Sequence, residues 1–193
     1  MAARPIALVA GLGNPGPEYA ETRHNAGFHF VERLAGSAPF RHEPRFEGDV
    51  ARVNVAGHEL WLLKPTTFMN HSGSAVGKLA RFYKITPAEI LVVHDELDLV
   101  PGTARLKQGG GAGGHNGLTD IIAQLGGPDF ARLRLGIGRP APGGDVAAWV
   151  LKRASAADRA LLEDSISAVL AQMEQIVRGD HAKVMNVLHT HTR

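Results

Sequence analysis

The chain of 193 residues contains no cysteine. That removes disulfides, a thiolate nucleophile and every cysteine-ligated metal site, and it fits a reducing compartment. No apolar run approaches the roughly 18 residues needed to cross a membrane. The opening MAARPIALVAGLG has too short an apolar segment for a removable signal peptide, so a cytoplasmic protein without membrane attachment is expected. Charge of one sign is also missing as a block. The formal net charge is +2 with 10 histidines, and no five consecutive residues share a charge. A grip on a polyanion would therefore need a local patch. Repeats, linkers and low-complexity segments are absent too, so residues 1–193 are expected to form one domain. With 44% hydrophobic and 21% charged residues, the chain can bury a substantial core.

What is present alternates between strand and helix patterns. Ile6 to Ala10 reads as a buried strand. Phe28, Val31 and Leu34 have helical spacing, with Gly36 as a C-cap. FEGDVARVNVAGHELWLLKP reads as a hairpin turning at Ala56-Gly57. Val76, Leu79, Ala80 and Tyr83 share a helical face, and Thr86-Pro87-Ala88-Glu89 forms a capping box with proline at the first helical position. ILVV, TARLKQ and ARLRLGIG are further strands. LTDIIAQL is a short helix that Asn116 is placed to cap. A long amphipathic helix is expected from Ser155 to Arg178, stopped by Gly179, with a last helix in the tail. The alternation implies an α/β fold: a single domain with a twisted, mixed β-sheet surrounded by α-helices.

After the first strand, Gly11-Leu-Gly13-Asn-Pro-Gly16 spells the glycine pattern of a dinucleotide site. The physical requirements of that site are not met. Pro15 and Pro17 lack the N–H groups that would face a pyrophosphate. The apolar helical pattern begins only near Asn25, and Glu32 and Glu43 fall in a helix and a loop instead of at the end of a second strand. No Gly-Lys-Ser/Thr follows any glycine cluster, so a P-loop is excluded as well.

Several loops instead carry amides, a histidine and a carboxylate. His24 is suited to general base work because its ordinary pKa lies near neutrality. Asp95, at a strand end, could fix its tautomer and stabilise the imidazolium. Asn14, Asn70 and Asn116 could bind a carbonyl or a developing oxyanion without adding charge. Lys107 and Arg134 could hold phosphates. Each has a plainer reading. Asparagines at such sites cap and turn, a lone histidine is commonly a surface residue, and Lys107 and Arg134 could be solvated strand-face charges. The run GGGAGGHNG, residues 109–117, is a flexible loop or lid by composition, or a close approach of backbone to ligand. Metal binding is a rival chemistry: His94-Asp95 and His115 could cluster in space, and HTH at 189–191 is either a ligand pair or a tail, but no H-E-x-x-H is present.

Read together, GLGNPGPEYAETRHNAG, KPTTFMNHSG, HDELDL, GGHNGL and RLRLGIGRP resemble, in order and spacing, the bacterial peptidyl-tRNA hydrolase family. The resemblance is strong over residues 6 to about 150 and looser beyond. It implies a monomeric, cytoplasmic α/β enzyme that hydrolyses the ester between peptide and tRNA, with tRNA as partner and neither cofactor nor metal. By that resemblance His24 is the base that activates water, and Asp95 orients it. Asn14, Asn70 and Asn116 contact the substrate around the ester. Tyr19, Phe68 and Met69 line the cleft, and Lys107 and Arg134 clamp the 5′ phosphate of tRNA. The family also has non-catalytic relatives that serve as splicing factors in plant organelles, so an RNA-binding module is the alternative from another class.

Overall fold

The computed structural model describes residues 4–190, with side chains as far as residue 188. Seven strands form one sheet: β1 (Leu8–Gly11), β2 (Arg41–Glu43), β3 (Gly48–Val55), β4 (His58–Pro65), β5 (Ile90–Glu96), β6 (Ala104–Gln108) and β7 (Ala131–Gly136). Their order is β2-β3-β4-β1-β5-β7-β6. β1 runs parallel to β4 and β5, and β5 parallel to β7. β2, β3 and β6 join antiparallel at the two sides. The mixed α/β sheet expected from the sequence is observed.

Seven α-helices are described: α1 (Ala26–Ala35), α2 (Ser72–Phe82), α3 (Asn116–Leu125), α4 (Val146–Val150), α5 (Ala156–Leu170), α6 (Met173–Arg178) and α7 (His181–Thr190). They cover both sheet faces, each with its own core. Val9, Leu91, Val93, Leu133 and Leu135 meet α1, α5, α6 and α7 through residues such as Phe30, Ile166, Ile176 and Val184. Leu8, Ala10, Ile90 and Val92 meet α2 and α3 through Val76, Leu79, Leu118 and Ile121. The alternation along β1 and β5 thus feeds two apolar layers. No described helix is long and apolar enough to cross a membrane.

Local signals are expressed as read at several points. Ala56 and Gly57 both have positive φ (51° and 86°), the requirement of a two-residue hairpin between β3 and β4. The Thr86 N–H donates to Glu89 Oε1 at 3.1 Å, and its hydroxyl donates to the same oxygen at 2.8 Å.

Two expectations are corrected. The helix read from Ser155 to Arg178 is broken at Ala171-Gln172 into α5 and α6. Gln172 donates to Val169 O at 2.8 Å, a tighter turn that leaves the α path, and no glycine or proline marks it. The new direction lets Met173, Ile176 and Val177 join the core. Asn116 does not cap α3; the cap is His115, one residue earlier.

Candidate active site

The polar residues gather beyond the C-terminal ends of the central parallel strands, where an α/β sheet offers a crevice. β1 ends at Gly11. The chain then makes short 3₁₀ turns at Pro17–Tyr19 and Arg23–Asn25 before α1 begins. No α-helix starts at the glycines, which accounts for the failed dinucleotide pattern. Their role is steric. A Cβ on Gly11 would lie 2.2 Å from the Gly27 carbonyl oxygen, and one on Gly27 would lie 2.3 Å from the Val93 carbonyl oxygen. The N-terminus of α1 therefore rests on the backbone of β1 and β5.

Two asparagines fasten the first loop. The Asn14 N–H donates to Asn25 Oδ1 at 2.8 Å, and Asn25 Nδ2 donates back to Asn14 O at 3.0 Å. The Met69 N–H donates to Asn14 Oδ1 at 2.7 Å. Asn14 thus ties the loop after β4 to the loop after β1 with its amide oxygen, which orients its NH₂ end.

Asp95, the penultimate residue of β5, is the centre of the site. His24 Nδ1 lies 2.8 Å from Asp95 Oδ2, and His115 Nε2 lies 2.8 Å from Asp95 Oδ1. The tautomers follow from the remaining contacts. His115 Nδ1 accepts from the Gly117 and Leu118 N–H groups at 3.1 and 3.3 Å as the cap of α3. An accepting Nδ1 carries no proton, so the His115 proton is on Nε2 and is donated to Asp95. The second carboxylate oxygen then accepts from His24 Nδ1–H. His24 Nε2 is left with its lone pair, on a residue that lines the cleft. Burial works to raise the Asp95 pKa; the imidazoles, His24 foremost, outweigh it and hold the carboxyl well below the usual carboxylate range. Behind it, His94 Nδ1–H donates to Asp95 O at 2.7 Å. Burial, reinforced by His115 nearby, pushes His94 down to about 3, so it stays neutral.

The cleft has a volume of about 530 Å³. Asn14, His24, Asn70, Asp95, Glu96, His115 and Asn116 supply its polar lining. Phe68 and Met69 supply one apolar side, and Val146, Val150 and Leu151 another. Of the residues singled out from the sequence, Tyr19 packs edge-on to Phe68, 6.3 Å between centroids, without lining this cleft.

Lys107 and Arg134 also lie outside it. They are on neighbouring strands, offset in register, with Lys107 opposite Arg132 and Arg105 opposite Arg134. Residues directly opposite share a sheet face, so these cations lie on one face. Arg134 is no solvated charge: its Nε donates to Glu96 Oε1 at 3.0 Å, and Glu96 lines the cleft. Lys107 is exposed. The glycine run is anchored at its start by Arg132, whose guanidinium donates to the Gly110 and Gly111 carbonyls at 2.6 Å each and to Pro128 O at 3.1 Å.

The sequence reading missed the double use of His115 and the α4 wall. His115 appeared there only as a possible metal ligand. His24, Asp95 and His115 do place donor atoms within 4.8 Å of one another. Hydrogen bonds to Asp95 already account for the facing nitrogens, however. The side chains of His189 and His191 fall outside the described residues.

The sequence profile of the peptidyl-tRNA hydrolase family matches residues 8–193. A peptidyl-tRNA hydrolase of Teredinibacter turnerae is 54% identical over 189 residues, covering 96% of this chain and 98% of that protein. One from an Azoarcus species is 56% identical over 182 residues, covering 93% and 83%. The crystal structure of peptidyl-tRNA hydrolase from Acinetobacter baumannii superposes with a TM-score of 0.91 at 47% identity, covering 95% of this chain and 94% of that one. With near-complete coverage on both sides, sequence and fold agree: the chain belongs to the peptidyl-tRNA hydrolase family.

Proposed function

We propose that this chain hydrolyses the ester joining a peptide to tRNA, with His24 as the base. The observation that carries the reading is the Asp95 bridge, which leaves His24 with Nδ1 protonated and Nε2 free beside the cleft. In the proposed step Nε2 takes a proton from water as the oxygen attacks the ester carbonyl. Asp95 stabilises the imidazolium that forms. Amide N–H groups of Asn14, Asn70 and Asn116 face the developing oxyanion and the substrate around it. Collapse breaks the ester bond, and the imidazolium returns its proton to the ribose oxygen that leaves. The products are tRNA with a free hydroxyl and a peptide carboxylic acid, which gives its proton to solvent.

A general base with oxyanion donors suffices for an ester, because its alkoxide is a better leaving group than an amine. The proposed reaction therefore needs no serine or cysteine nucleophile and no metal. Lys107 and Arg134 hold the 5′ phosphate of tRNA in this reading, and Tyr19 supports the Phe68 side. Such contacts address features that all tRNAs share.

The test is release of the acyl group from N-acetyl-aminoacyl-tRNA in EDTA, with His24→Ala beside the unaltered protein. Hydrolysis should survive chelation and fall by about 10²- to 10⁴-fold in the variant, the usual contribution of a general base. Folded protein that binds tRNA but never hydrolyses it would favour the RNA-binding module.

A further inference from the structure

One apolar side of the cleft is formed by α4 and the residue after it, and this wall has no core of its own. None of the five α4 residues is buried. Val146 and Leu151 are 39% and 46% exposed. A single helical turn does not persist in water unaided, so something must hold it.

Arg23, the neighbour of His24, makes that connection. Although charged, it is only 7% exposed. Its Nη1 donates towards three carbonyls at the end of α4 and just beyond: Trp149 O at 3.3 Å, and Lys152 O and Arg153 O at 3.4 Å each. These carbonyls lie at and just beyond a helix C-terminus, where a cation is favoured. The guanidinium also lies over the Trp149 ring, 3.5 Å from its centroid. The backbone repeats the link: the Arg23 N–H donates to Lys152 O at 3.1 Å, and Thr22 bridges to Arg153. From the other side, Trp149 Nε1 donates to Gly138 O at 2.9 Å, which fixes the ring against the segment after β7. Arg23 Nε is buried with no partner among the described residues. A cation kept at that cost beside the base, aimed at the wall, has a task there.

We propose that Arg23 is a positioning residue for the hydrolysis: it fastens the α4 wall to the His24 turn and holds Val146, Val150 and Leu151 against the peptide part of the substrate. The ligand chemistry this side addresses is the apolar side chain nearest the ester. The proposal rests on the hydrolase reading above. It places Arg23 in substrate binding and not in the ionisation of His24.

The experiment compares the unaltered chain with Arg23→Lys, which keeps the charge but loses the planar stack and the fork. Two readings are taken: amide hydrogen exchange of residues 146–153, and kinetics on tRNA carrying N-acetyl-leucine or N-acetyl-glycine. Exchange in 146–153 should quicken. KM should rise about 10-fold for the leucyl ester and less for the glycyl ester, with kcat and its pH profile unmoved, the signature of lost uniform binding. Unchanged exchange, or a kcat profile displaced along the pH axis, would overturn the proposal. Should Arg23→Lys fail to fold, Trp149→Phe removes the bond to Gly138 and must give the same pattern, more weakly. An unaltered protein inactive on both esters would sink the hydrolase reading instead, while the exchange comparison would still decide whether Arg23 holds the wall.

Discussion

At position 94 the fold shuts an imidazole away from water, directly behind the carboxylate that serves His24. Unfolded, this histidine takes up a proton as the pH falls through about 6.5; folded, it resists until about 3. Between those limits the unfolded chain holds the extra proton. Stability from this group is therefore complete above about pH 6.5 and is lost at roughly 1 kcal/mol per unit as the pH falls below it. Asp95 acts in the same sense further down, because its depressed carboxyl stabilises the fold until it is protonated. His94→Asn keeps a donor for Asp95 O and removes the titration. Urea unfolding at pH 7 and pH 5 should show a clear loss for the native chain and a smaller one for the variant; equal losses would clear His94 of the effect. The His24–Asp95 contact was legible as an imidazole looking for a carboxylate at the end of an apolar strand. The role of His115 was not. Its meaning depends on one ring nitrogen meeting α3 while the other meets a residue 20 positions away.

Among elements, starts and tight turns were legible wherever local chemistry decides them. The Ala56-Gly57 hairpin and the Thr86 box need only their own residues. The α5–α6 break and the α3 cap are decided by what lies across the fold, so periodicity continued through the first and chose the wrong neighbour for the second. The glycine run shows the same limit. Its composition suggests free motion, whereas a buried arginine from β7 holds the carbonyls of Gly110 and Gly111. Replacing that charged donor by Arg132→Gln should cost about 3 kcal/mol in chemical denaturation, since bonds to charged groups are the stronger kind. Exchange of amides 109–114 should accelerate as well. If those amides keep their protection, the anchor lies elsewhere and the run is ordered by α3 alone.

Over the whole molecule, net charge is too small to draw RNA by itself, so the proposed grip depends on where a few cations sit. Lys107→Ala should raise KM for peptidyl-tRNA and reduce the salt slope of binding by about one unit, the share of one phosphate contact. Arg134→Ala should do so more strongly, because it also leaves Glu96 as an unpaired anion on the cleft wall. Measuring KM against salt concentration, beside a short 3′-end ester that has no 5′ phosphate, separates these effects; equal damage to the short ester would remove both residues from phosphate binding. The frame that brings the parts together is set by contact between main chains. Gly27 lies three positions after His24, and Val93 two before Asp95. The hydrogen of Gly27 faces the Val93 carbonyl oxygen where a methyl group could not fit. Where a proton transfer is proposed, a displacement of about 1 Å can cost a hundredfold in rate, and here the approach of the two backbones that carry His24 and Asp95 is gauged by a missing carbon atom.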